Sequence, residues 1–477
     1  MGETLKHKTL KGTIWSGVER FSVQGVSFVV MIIMARILTP ADYGLVGMLT
    51  VFIAISQSLV DSGFSQALIR KQDRSEVDNS TVFYFNFGVG ALLYLILFFC
   101  APLIARFYNE PILIPLTRLI GLSVVINSFV VVQRALLTIK IDFKTQAKAS
   151  LSAAVVAGIV GITMAYRGFG VWAIVSYQLT NLSVNVGLLW IFSKWRPIRA
   201  FSAASFKELF SFGSKLAISG IINTLYVNVY LIVIGKVFKA SDLGYYTRAQ
   251  QFSDFPSSNL TGILQRVTFP VLCTMQDDDE RLRSVYRRFL RLSGFLIFPL
   301  MVGLAAVAHP LIILVLKEKW EFSAVLLQIL CFSMMWYPIH AINLNLLQVK
   351  GRSDLFLKLE ILKKCIGVAI LCVTIPMGLK VMCWGMVASS LIALVINTHY
   401  TGLLINVGFL RQIHDLMPSL LYSMSMGAVV WLTCTNISDD LISVICGIGV
   451  GVFFYFAIAR LTHSADLKEL VLLVKRK

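Results

Sequence analysis

A set of charged side chains lies inside long apolar segments of the sequence, where a charge needs a partner, a ligand or water. Moving a charge to membrane depth costs roughly 3 kcal/mol or more, so intramembrane charges usually mark a substrate or ion site. We predict that four bases bind an anionic substrate and that three acids couple its movement to an ion. The bases are Arg20, Arg118, Lys215 and Arg248, and the acids are Glu19, Asp61 and Asp254.

Two of the acids and one base, all in the first part of the chain, are predicted to share one depth. Glu19 and Arg20 follow Lys11 by eight and nine residues, and Asp61 precedes Arg70 by nine. The helical rise places all three about 12–14 Å from the end of their segment. The group indicates either a proton or sodium site or a salt bridge between helices with no transport role, and both interpretations stay open.

Asp254 is the deepest acid in the second half of the chain. It lies ten residues past Gly244, about 15 Å into its segment and near the bilayer midplane, and Pro256 follows it. Broken helices in transporters expose free backbone groups that bind substrates and ions. We therefore predict a break at Pro256 and coupling to a proton or another cation at Asp254, with a capped kink as the alternative.

Bases outnumber acids within the apolar segments, and this excess indicates an anionic substrate. Arginine and lysine bind diphosphate groups through charge-assisted hydrogen bonds. The alternative is that several of the bases only anchor helix ends, as Arg36 does beside Pro40. Glu360 is expected to pair with Lys363 and Lys364, one turn away.

Catalytic and metal-binding patterns are absent from the sequence. It contains no P-loop, HExxH or GxSxG motif, and its six His are scattered without metal-ligand spacing. The eight Cys form no CxxC pair, and most lie in apolar runs as small packing residues. We predict no catalytic residue, no metal, no cofactor and no enzymatic activity, so that ATP-driven transport would need a separate partner.

The chain that must position these charges has 477 residues, of which 57% are hydrophobic and 14% charged. Ordinary soluble domains carry about 25% charged residues, and about 20 apolar residues span a bilayer. We predict an all-α polytopic membrane protein with about 14 transmembrane helices and no large loop domain. The spans are 12–37, 44–68, 81–105, 112–138, 147–166, 170–192, 209–236, 245–272, 288–316, 323–348, 357–378, 382–405, 416–435 and 441–460.

Basic residues are distributed unevenly between the loops. Alternate loops, counted from the N-terminus, hold 27 Lys and Arg against 7 in the other set. Because cytoplasmic loops retain positive charge, both termini are predicted in the cytoplasm. The same rule explains the net charge of +18, so the charge does not indicate binding to nucleic acid. The first apolar run is too long for a signal segment, and no small-residue cleavage motif follows it, so we expect no cleaved signal.

Two local patterns predict packing rather than chemistry. Residues 277–291 are first acidic and then rich in arginine, which is typical of a solvated loop that enters a helix. The alternative is an amphipathic helix on anionic lipid headgroups. In the last span, Gly447 and Gly451 form a GxxxG pattern that favours close helix packing.

The chain contains an internal duplication. Residues 36–44 (RILTPADYG) match residues 236–244 (KVFKASDLG) at an offset of 200, and three weaker matches follow in the same order at offsets of 208 to 212. Each copy covers six spans, an even number, so both copies enter the membrane from the same side, as in transporters built from parallel halves. We predict one six-helix lobe at 1–208, a second at 209–406, and two additional helices with a cytoplasmic tail at 407–477.

Four segments resemble one family of membrane proteins. Residues 35–44 (ARILTPADYG), 61–69 (DSGFSQALI), 107–111 (FYNEP) and 168–173 (GFGVWA) are similar to turns and helix ends of bacterial polysaccharide flippases. The family is the Wzx-type polysaccharide (O-antigen) branch of the multidrug/oligosaccharidyl-lipid/polysaccharide exporter superfamily, and the resemblance extends to about residue 460. It implies two six-helix lobes around a cationic cavity, lined largely by the first two helices of each lobe, plus two extra helices.

The resemblance also implies a function. Proteins of this family move an undecaprenyl-diphosphate-linked oligosaccharide from the inner to the outer leaflet of the bacterial plasma membrane, by alternating access coupled to an ion gradient. The expected partners are this substrate, membrane lipid, a polysaccharide polymerase and glycosyltransferases, with no nucleic acid. Proton and sodium gradients are both open as the driving force.

Three other functions are weighed against this one. A flippase for the lipid precursor of peptidoglycan is a near neighbour in the superfamily, and the sequence does not separate the two. A cation-coupled multidrug exporter would favour an acidic or apolar cavity, so the excess of bases argues against it. A membrane polysaccharide polymerase would need a large outer loop with catalytic residues, and the sequence contains no such loop.

Overall fold

The structure is a computed structural model that describes residues 22–61 and 63–475, with the backbone alone described for Phe212, Lys215, Leu216 and residues 473–475. Within these ranges the regular structure is helical, and no β-strand occurs. The chain separates into two compact units, Met1–Gly244 and Tyr245–Lys477. The predicted lobes at 1–208, 209–406 and 407–477 rest on the duplication rather than on compactness, and they stay a prediction.

The first unit holds eleven described helices and the start of a twelfth. They are α1 (Ser22–Ile37), α2 (Pro40–Asp61), α3 (Phe64–Arg70), α4 (Glu76–Tyr108), α5 (Leu113–Ile120), α6 (Leu122–Ser128), α7 (Val131–Ile139), α8 (Phe143–Tyr166), α9 (Val171–Ser193), α10 (Ala203–Val227), α11 (Val229–Val237) and the first turn of α12 (Ala240–Cys273).

The second unit continues α12 and adds nine further α-helices, with short 3₁₀ helices at Glu318–Trp320 and Ile375–Met377. They are α13 (Asp279–Ala306), α14 (Ala308–Leu316), α15 (Glu321–Met334), α16 (Tyr337–Val349), α17 (Ser353–Thr374), α18 (Leu379–Ile405), α19 (Phe409–Thr435), α20 (Asp440–Leu461) and α21 (Ala465–Lys475).

Each predicted span coincides with a helix or with a series of consecutive helices in the described ranges. Nine of these, or ten if the bent pair α10–α11 counts as one span, are long and apolar enough to cross a membrane. The bend between α10 and α11 is 43°. The prediction of an all-helical polytopic membrane protein is confirmed. The number of about 14 crossings stays a prediction, because α9, α12, α17 and the described part of α1 fall short of these criteria.

The long helix α4 shows how an apolar sequence is used in this fold. Leu92, Phe99 and Leu103 recur at intervals of seven and four residues, which places them on one face of the helix, and each is more than half exposed. A stripe of this kind is unfavourable in water but suits contact with lipid chains. The helix begins at a capping box formed by Ser75 and Asp78, which satisfies its first backbone N–H groups.

The two copies of the duplicated motif contact each other at their glycines. A Cβ atom on Gly44 would lie 1.7 Å from the carbonyl oxygen of Ala240, and a Cβ on Gly244 would lie 1.8 Å from the carbonyl oxygen of Pro40. Only a residue without a Cβ allows the first turns of α2 and α12 to approach so closely. The offset of 200 therefore relates residues that make equivalent, reciprocal contacts.

The packing role predicted for the GxxxG pattern in α20 is confirmed. A Cβ on Gly447 would lie 2.9 Å from the sulfur of Cys434, and one on Gly451 would lie 3.0 Å from a methyl group of Val430. Both neighbours belong to α19. The glycines thus allow α19 and α20 to pack closely along their length.

Candidate functional site

Of the three residues predicted to form a group in the first two spans, the structure describes only Asp61. Glu19 and Arg20 lie outside the described residues. Asp61 is the last residue of α2, and its exposed carboxylate accepts a hydrogen bond of 2.8 Å from the hydroxyl of Ser65 in α3. This bond crosses the break at Gly63, whose φ of 68° is left-handed. Whether Asp61 also meets Glu19 and Arg20 stays a prediction.

Arg118 lies on α5, where it is half-buried. The centre of its guanidinium lies 4.4 Å from the centroid of the Phe98 ring on α4. A cation over an aromatic face is attracted by the ring quadrupole, by an amount that grows as water is excluded. The sequence predicted a buried charge here but not the aromatic ring that it contacts. The predicted contact of Arg118 with substrate stays a prediction.

The remaining predicted residues lie on α10 and α12. Lys215 belongs to α10, and its side chain lies outside the described part of the structure. Arg248 and Asp254 are both half-buried on α12, in the second unit. Six residues separate them by about 9 Å along the axis and roughly 120° around it. They therefore face different directions around the helix.

The break predicted at Pro256 does not occur. The helix α12 runs without interruption from Ala240 to Cys273 and includes both Pro256 and Pro270. A proline removes one backbone hydrogen bond but leaves the rest of the helix intact when the neighbouring structure holds it, as is common in membrane helices. The prediction of a broken helix beside Asp254 is therefore wrong, and any ion bound by this carboxylate would not be held by unwound backbone.

An ion-pair group that the sequence did not reveal joins the residue after α3 to α4 and α10. The amine of Lys71 lies 3.3 Å from a carboxylate oxygen of Asp78 and 2.9 Å from one of Glu208. We call these three residues the Lys71 bridge. The hydrogen bond to Glu208 is the largest influence on the amine and raises the pKa of Lys71 above its ordinary value, so Lys71 keeps its positive charge at neutral pH.

The local sequence predicts the position of one carboxylate of the Lys71 bridge, that of Asp78. Ser75 and Asp78 are spaced as a capping box before an apolar run, which is a recognised helix start, and Asp78 is 3% exposed. Glu208 is 137 residues from Lys71 and 62% exposed, and no local pattern singles it out. Because Glu208 is largely exposed, its contact with Lys71 adds little stability, and its effect is mainly to fix the position of α10 beside α4.

The connection between α9 and α10 is fixed against the start of α4. Side chains at the beginning of α4 accept hydrogen bonds from backbone or indole N–H groups of this connection. The bonds join Ile198 N to Ser80 Oγ at 3.0 Å, Ser202 N to Thr81 Oγ1 at 3.0 Å, and Trp195 Nε1 to Glu76 Oε2 at 2.6 Å. The segment between the sixth and seventh predicted spans is thus fixed to α4 by hydrogen bonds that its own N–H groups donate.

The arginine-rich run at the start of α13 binds carboxylates of the protein itself. Arg287 makes a two-bond contact with Asp415 on α19, with both distances 2.6 Å. Arg291 binds Asp466 on α21 at 3.2 Å. The run does enter a helix, as predicted, and the alternative of anionic lipid headgroups loses two of its arginines to these pairs. The helix α21, which is not among the predicted spans, is held to α13 by the pair of Arg291 and Asp466.

A buried polar network links four helices of the second unit. Gln412 of α19 is fully buried, and its amide contacts Tyr286 of α13, Asn343 of α16 and Thr401 of α18 at 2.8–3.2 Å. Polar groups buried with all their partners specify one arrangement of the helices. The network contains no charged group, and its donors and acceptors are used by one another, so we assign it to architecture.

His340 on α16 is a second polar link, to α18. Its Nδ1 lies 3.2 Å from the amide nitrogen of Asn397, and its Nε2 lies 3.1 Å from the hydroxyl of Ser390. That hydroxyl donates to the carbonyl oxygen of Ser333. The amide must donate to Nδ1 and the hydroxyl must accept from Nε2–H, so this network requires a neutral ring with its hydrogen on Nε2. We therefore assign His340 to packing.

The pairing predicted for Glu360 is confirmed for Lys363, and the pairing with Lys364 stays a prediction. Its carboxylate lies 2.5 Å from the amine of Lys363, three residues later on α17. The pair neutralises one of the bases counted as intramembrane, which lowers the number that could meet a substrate.

These features define the class of the protein: a polytopic helical membrane protein with the fold of a known flippase. A solved structure of the lipid II flippase MurJ, in an inward closed conformation, matches with a TM-score of 0.76 over 96% of this chain and 100% of that chain, at 14% identity. Likeness at this identity concerns the fold.

The chain belongs to the family described as "Polysaccharide biosynthesis protein", whose model matches residues 33–325. It is 29% identical over 367 residues to the lipopolysaccharide biosynthesis protein WzxC of Escherichia coli, which covers 76% of this chain and 74% of that protein. It is 25% identical over 334 residues to the succinoglycan biosynthesis transport protein ExoT of Rhizobium meliloti, over 70% of this chain and 68% of that protein. The resemblance noted in the sequence is thereby confirmed.

Proposed function

We propose that this protein is a flippase for an undecaprenyl-diphosphate-linked oligosaccharide in the biosynthesis of a surface polysaccharide, whether lipopolysaccharide, capsule or exopolysaccharide. The observation that carries the proposal is the family match over residues 33–325 in a chain with a transporter fold. Relatives named for lipopolysaccharide biosynthesis and for succinoglycan transport support the same substrate class. The substrate moves from the inner to the outer leaflet of the bacterial plasma membrane.

The substrate in this proposal carries its charge on a diphosphate, and the protein supplies bases for it. Arg20, Arg118, Lys215 and Arg248 are the proposed contacts. Guanidinium and ammonium groups bind phosphate oxygens by charge-assisted hydrogen bonds. The polyprenyl tail stays in lipid during transfer, because hydrocarbon gains nothing from entering a polar cavity.

Energy for transport is proposed to come from a proton or sodium gradient through alternating access. Glu19, Asp61 and Asp254 are the proposed coupling acids. An unpaired carboxylate at membrane depth is costly, and binding a proton or a sodium ion neutralises it, which makes such residues common in ion-coupled transporters.

The proposed setting follows from the charge distribution. With 27 of the basic residues in one set of loops, both termini face the cytoplasm. The partners that supply and consume the substrate are membrane-associated glycosyltransferases and a polysaccharide polymerase. Membrane lipid surrounds the protein, and no nucleic acid takes part.

A second candidate is supported by the fold alone. The structural match to MurJ, the lipid II flippase, favours a peptidoglycan precursor as the alternative cargo, because both substrates join a polyprenyl diphosphate to sugar. Deletion and complementation separate the two. Loss of the gene should abolish the surface polysaccharide while cell-wall synthesis continues, and expression of the protein should not rescue cells depleted of their own lipid II flippase. Rescue of such cells would reverse the assignment.

Asp254→Asn should uncouple or stop transport while leaving the folded protein intact. The amide is close in size to the carboxylate but cannot bind or release a proton and holds a sodium ion less well. Uptake of a labelled lipid-linked oligosaccharide into inverted vesicles, with and without an imposed gradient, measures the effect. The expected result is that the gradient-dependent part of the uptake is lost.

The matched control for this experiment is Asp439→Asn, at the N-cap of α20, which should leave gradient dependence unchanged. If Asp254→Asn vesicles respond to the gradient as the native protein does, Asp254 has no part in coupling.

A further inference from the structure

The second unit contains a groove that the proposed transport cycle does not use. It has a volume of about 550 Å³ and lies among α13, α15, α18 and α19. Val302, Ile329, Phe332 and Met424 are among the apolar side chains that line it, and the polar lining consists of Gln328 and Lys380. A cavity of this size is within the range of small-ligand sites, roughly 300–1,000 Å³.

Positive charge is concentrated at one end of this groove. Lys380 is the second residue of α18, so its amine lies near the helix N-terminus, where backbone N–H groups and the helix dipole also favour an anion. Its amine lies 5.5 Å from the centroid of the Phe322 ring at the start of α15. Among the described residues Lys380 forms no salt bridge with a carboxylate, so the protein leaves this charge available.

Two tryptophans mark the same region of the groove. Trp384 lies one turn after Lys380 on α18, and Trp431 lies near the end of α19; they are 53% and 52% exposed. Tryptophan prefers the level of the lipid headgroups, because its ring is apolar and its N–H is polar. The charged end of the groove therefore lies at a membrane interface, and the orientation predicted from the loops makes it the outer one.

The groove extends over about two thirds of one leaflet. Along α15 its lining runs from Val325 to Phe332, about 10 Å along the helix axis, and Val325 is one turn from the start of that helix. Half of the hydrocarbon core is about 15 Å thick. The groove is thus long enough for the upper part of one acyl chain that enters from the headgroup level.

We propose that this groove is a binding site for an anionic phospholipid of the outer leaflet. One acyl chain lies along the apolar lining of α13, α15, α18 and α19, and the headgroup phosphate contacts Lys380 and the N-terminus of α18. The charge of Lys380 favours a lipid with a net negative headgroup over a zwitterionic one, and the tryptophans place that headgroup at the interface. The occupant is a resident membrane lipid and not the transported substrate.

Native mass spectrometry of the full-length protein in detergent tests this site with two defined lipids, phosphatidylglycerol and phosphatidylethanolamine. The native protein should retain phosphatidylglycerol in preference. Lys380→Gln should weaken this binding about fivefold, since one basic residue near a lipid surface contributes about 1 kcal/mol, and should leave phosphatidylethanolamine unaffected. Ala428→Phe, on the groove wall of α19, should reduce the binding of both lipids by filling the chain site.

The matched control is Lys317→Gln, an exposed lysine between α14 and the following 3₁₀ helix, which should change neither lipid's retention. Equal retention of the two lipids by the native protein would overturn the proposal. A polyprenyl phosphate that displaces phosphatidylglycerol from the groove, with loss of the effect in Ala428→Phe, would assign the site to the substrate tail instead. Thermal unfolding of each variant shows that the fold is kept.

Discussion

Replacing Gly44 with alanine is expected to lower the stability of the folded protein strongly. The new Cβ would lie 1.7 Å from the backbone carbonyl oxygen of Ala240, so no side-chain rotation can relieve the overlap. Overpacking of cores costs roughly 1–3 kcal/mol and sometimes more, and a collision with backbone belongs at the upper end. We expect a clearly lower melting temperature in detergent and less protein in membranes.

The reciprocal geometry gives this prediction an internal check. Gly244→Ala should have a similar effect, because its Cβ would lie 1.8 Å from the carbonyl oxygen of Pro40. The double variant should lose less stability than the sum of the losses in the two single variants. Either substitution alone already separates the same pair of turns.

Gly88→Ala on α4 is the matched control for these glycines. No atom lies within 4 Å of the position of its Cβ, so alanine there should be neutral or stabilise the helix by roughly 0.5–1 kcal/mol. A native melting temperature for Gly44→Ala would show that the turns of α2 and α12 are not packed as described.

Charge reversal at Lys215 is expected to abolish export of the polysaccharide. A hydrogen bond to a charged group contributes roughly 1.5–3 kcal/mol, and a glutamate at the same place repels the diphosphate in addition. A combined loss above about 3 kcal/mol corresponds to a factor of more than one hundred in affinity. Surface polysaccharide on a gel should disappear, and lipid-linked oligosaccharide should accumulate in the inner leaflet.

Three further variants separate this effect from misfolding. Lys215→Arg keeps the charge and should retain most export, whereas Arg248→Glu should reproduce the loss. Lys207→Glu, two turns earlier on α10, should be tolerated. Membrane protein levels must match the native level in all four. Normal polysaccharide in Lys215→Glu cells would remove this lysine from the substrate site.

Much of the architecture could be predicted because a bilayer imposes a simple rule on the sequence. Backbone polar groups in hydrocarbon must bond within their own segment, so a long apolar run becomes a helix wherever it packs. The same rule says little about where a helix is interrupted. The run at 112–138 divides into α5, α6 and α7, and the run at 288–316 divides at Val307, while Pro256 does not interrupt α12.

The candidate site was less predictable, because a charge shows its depth in the sequence but not its partner. Local spacing was sufficient for Glu360 and Lys363, three residues apart on one helix. It failed for Arg287 and Asp415, 128 residues apart, and for Arg118, which meets an aromatic ring on another helix. In each case the partner is distant in sequence and ordinary in its local context.

The sequence by itself determined the class of the protein, its helical spans, the family to which it belongs and the duplicated motif, since hydropathy, charge asymmetry and repeated residues are properties of the chain alone. Only the tertiary structure decided that each glycine of the motif packs against the backbone of the other copy, that Lys71 joins Asp78 to Glu208, and that Lys380 lies at the end of an apolar groove. Contacts between distant segments depend on how helices pack, and packing is set by many small, non-local interactions that no short stretch of sequence contains.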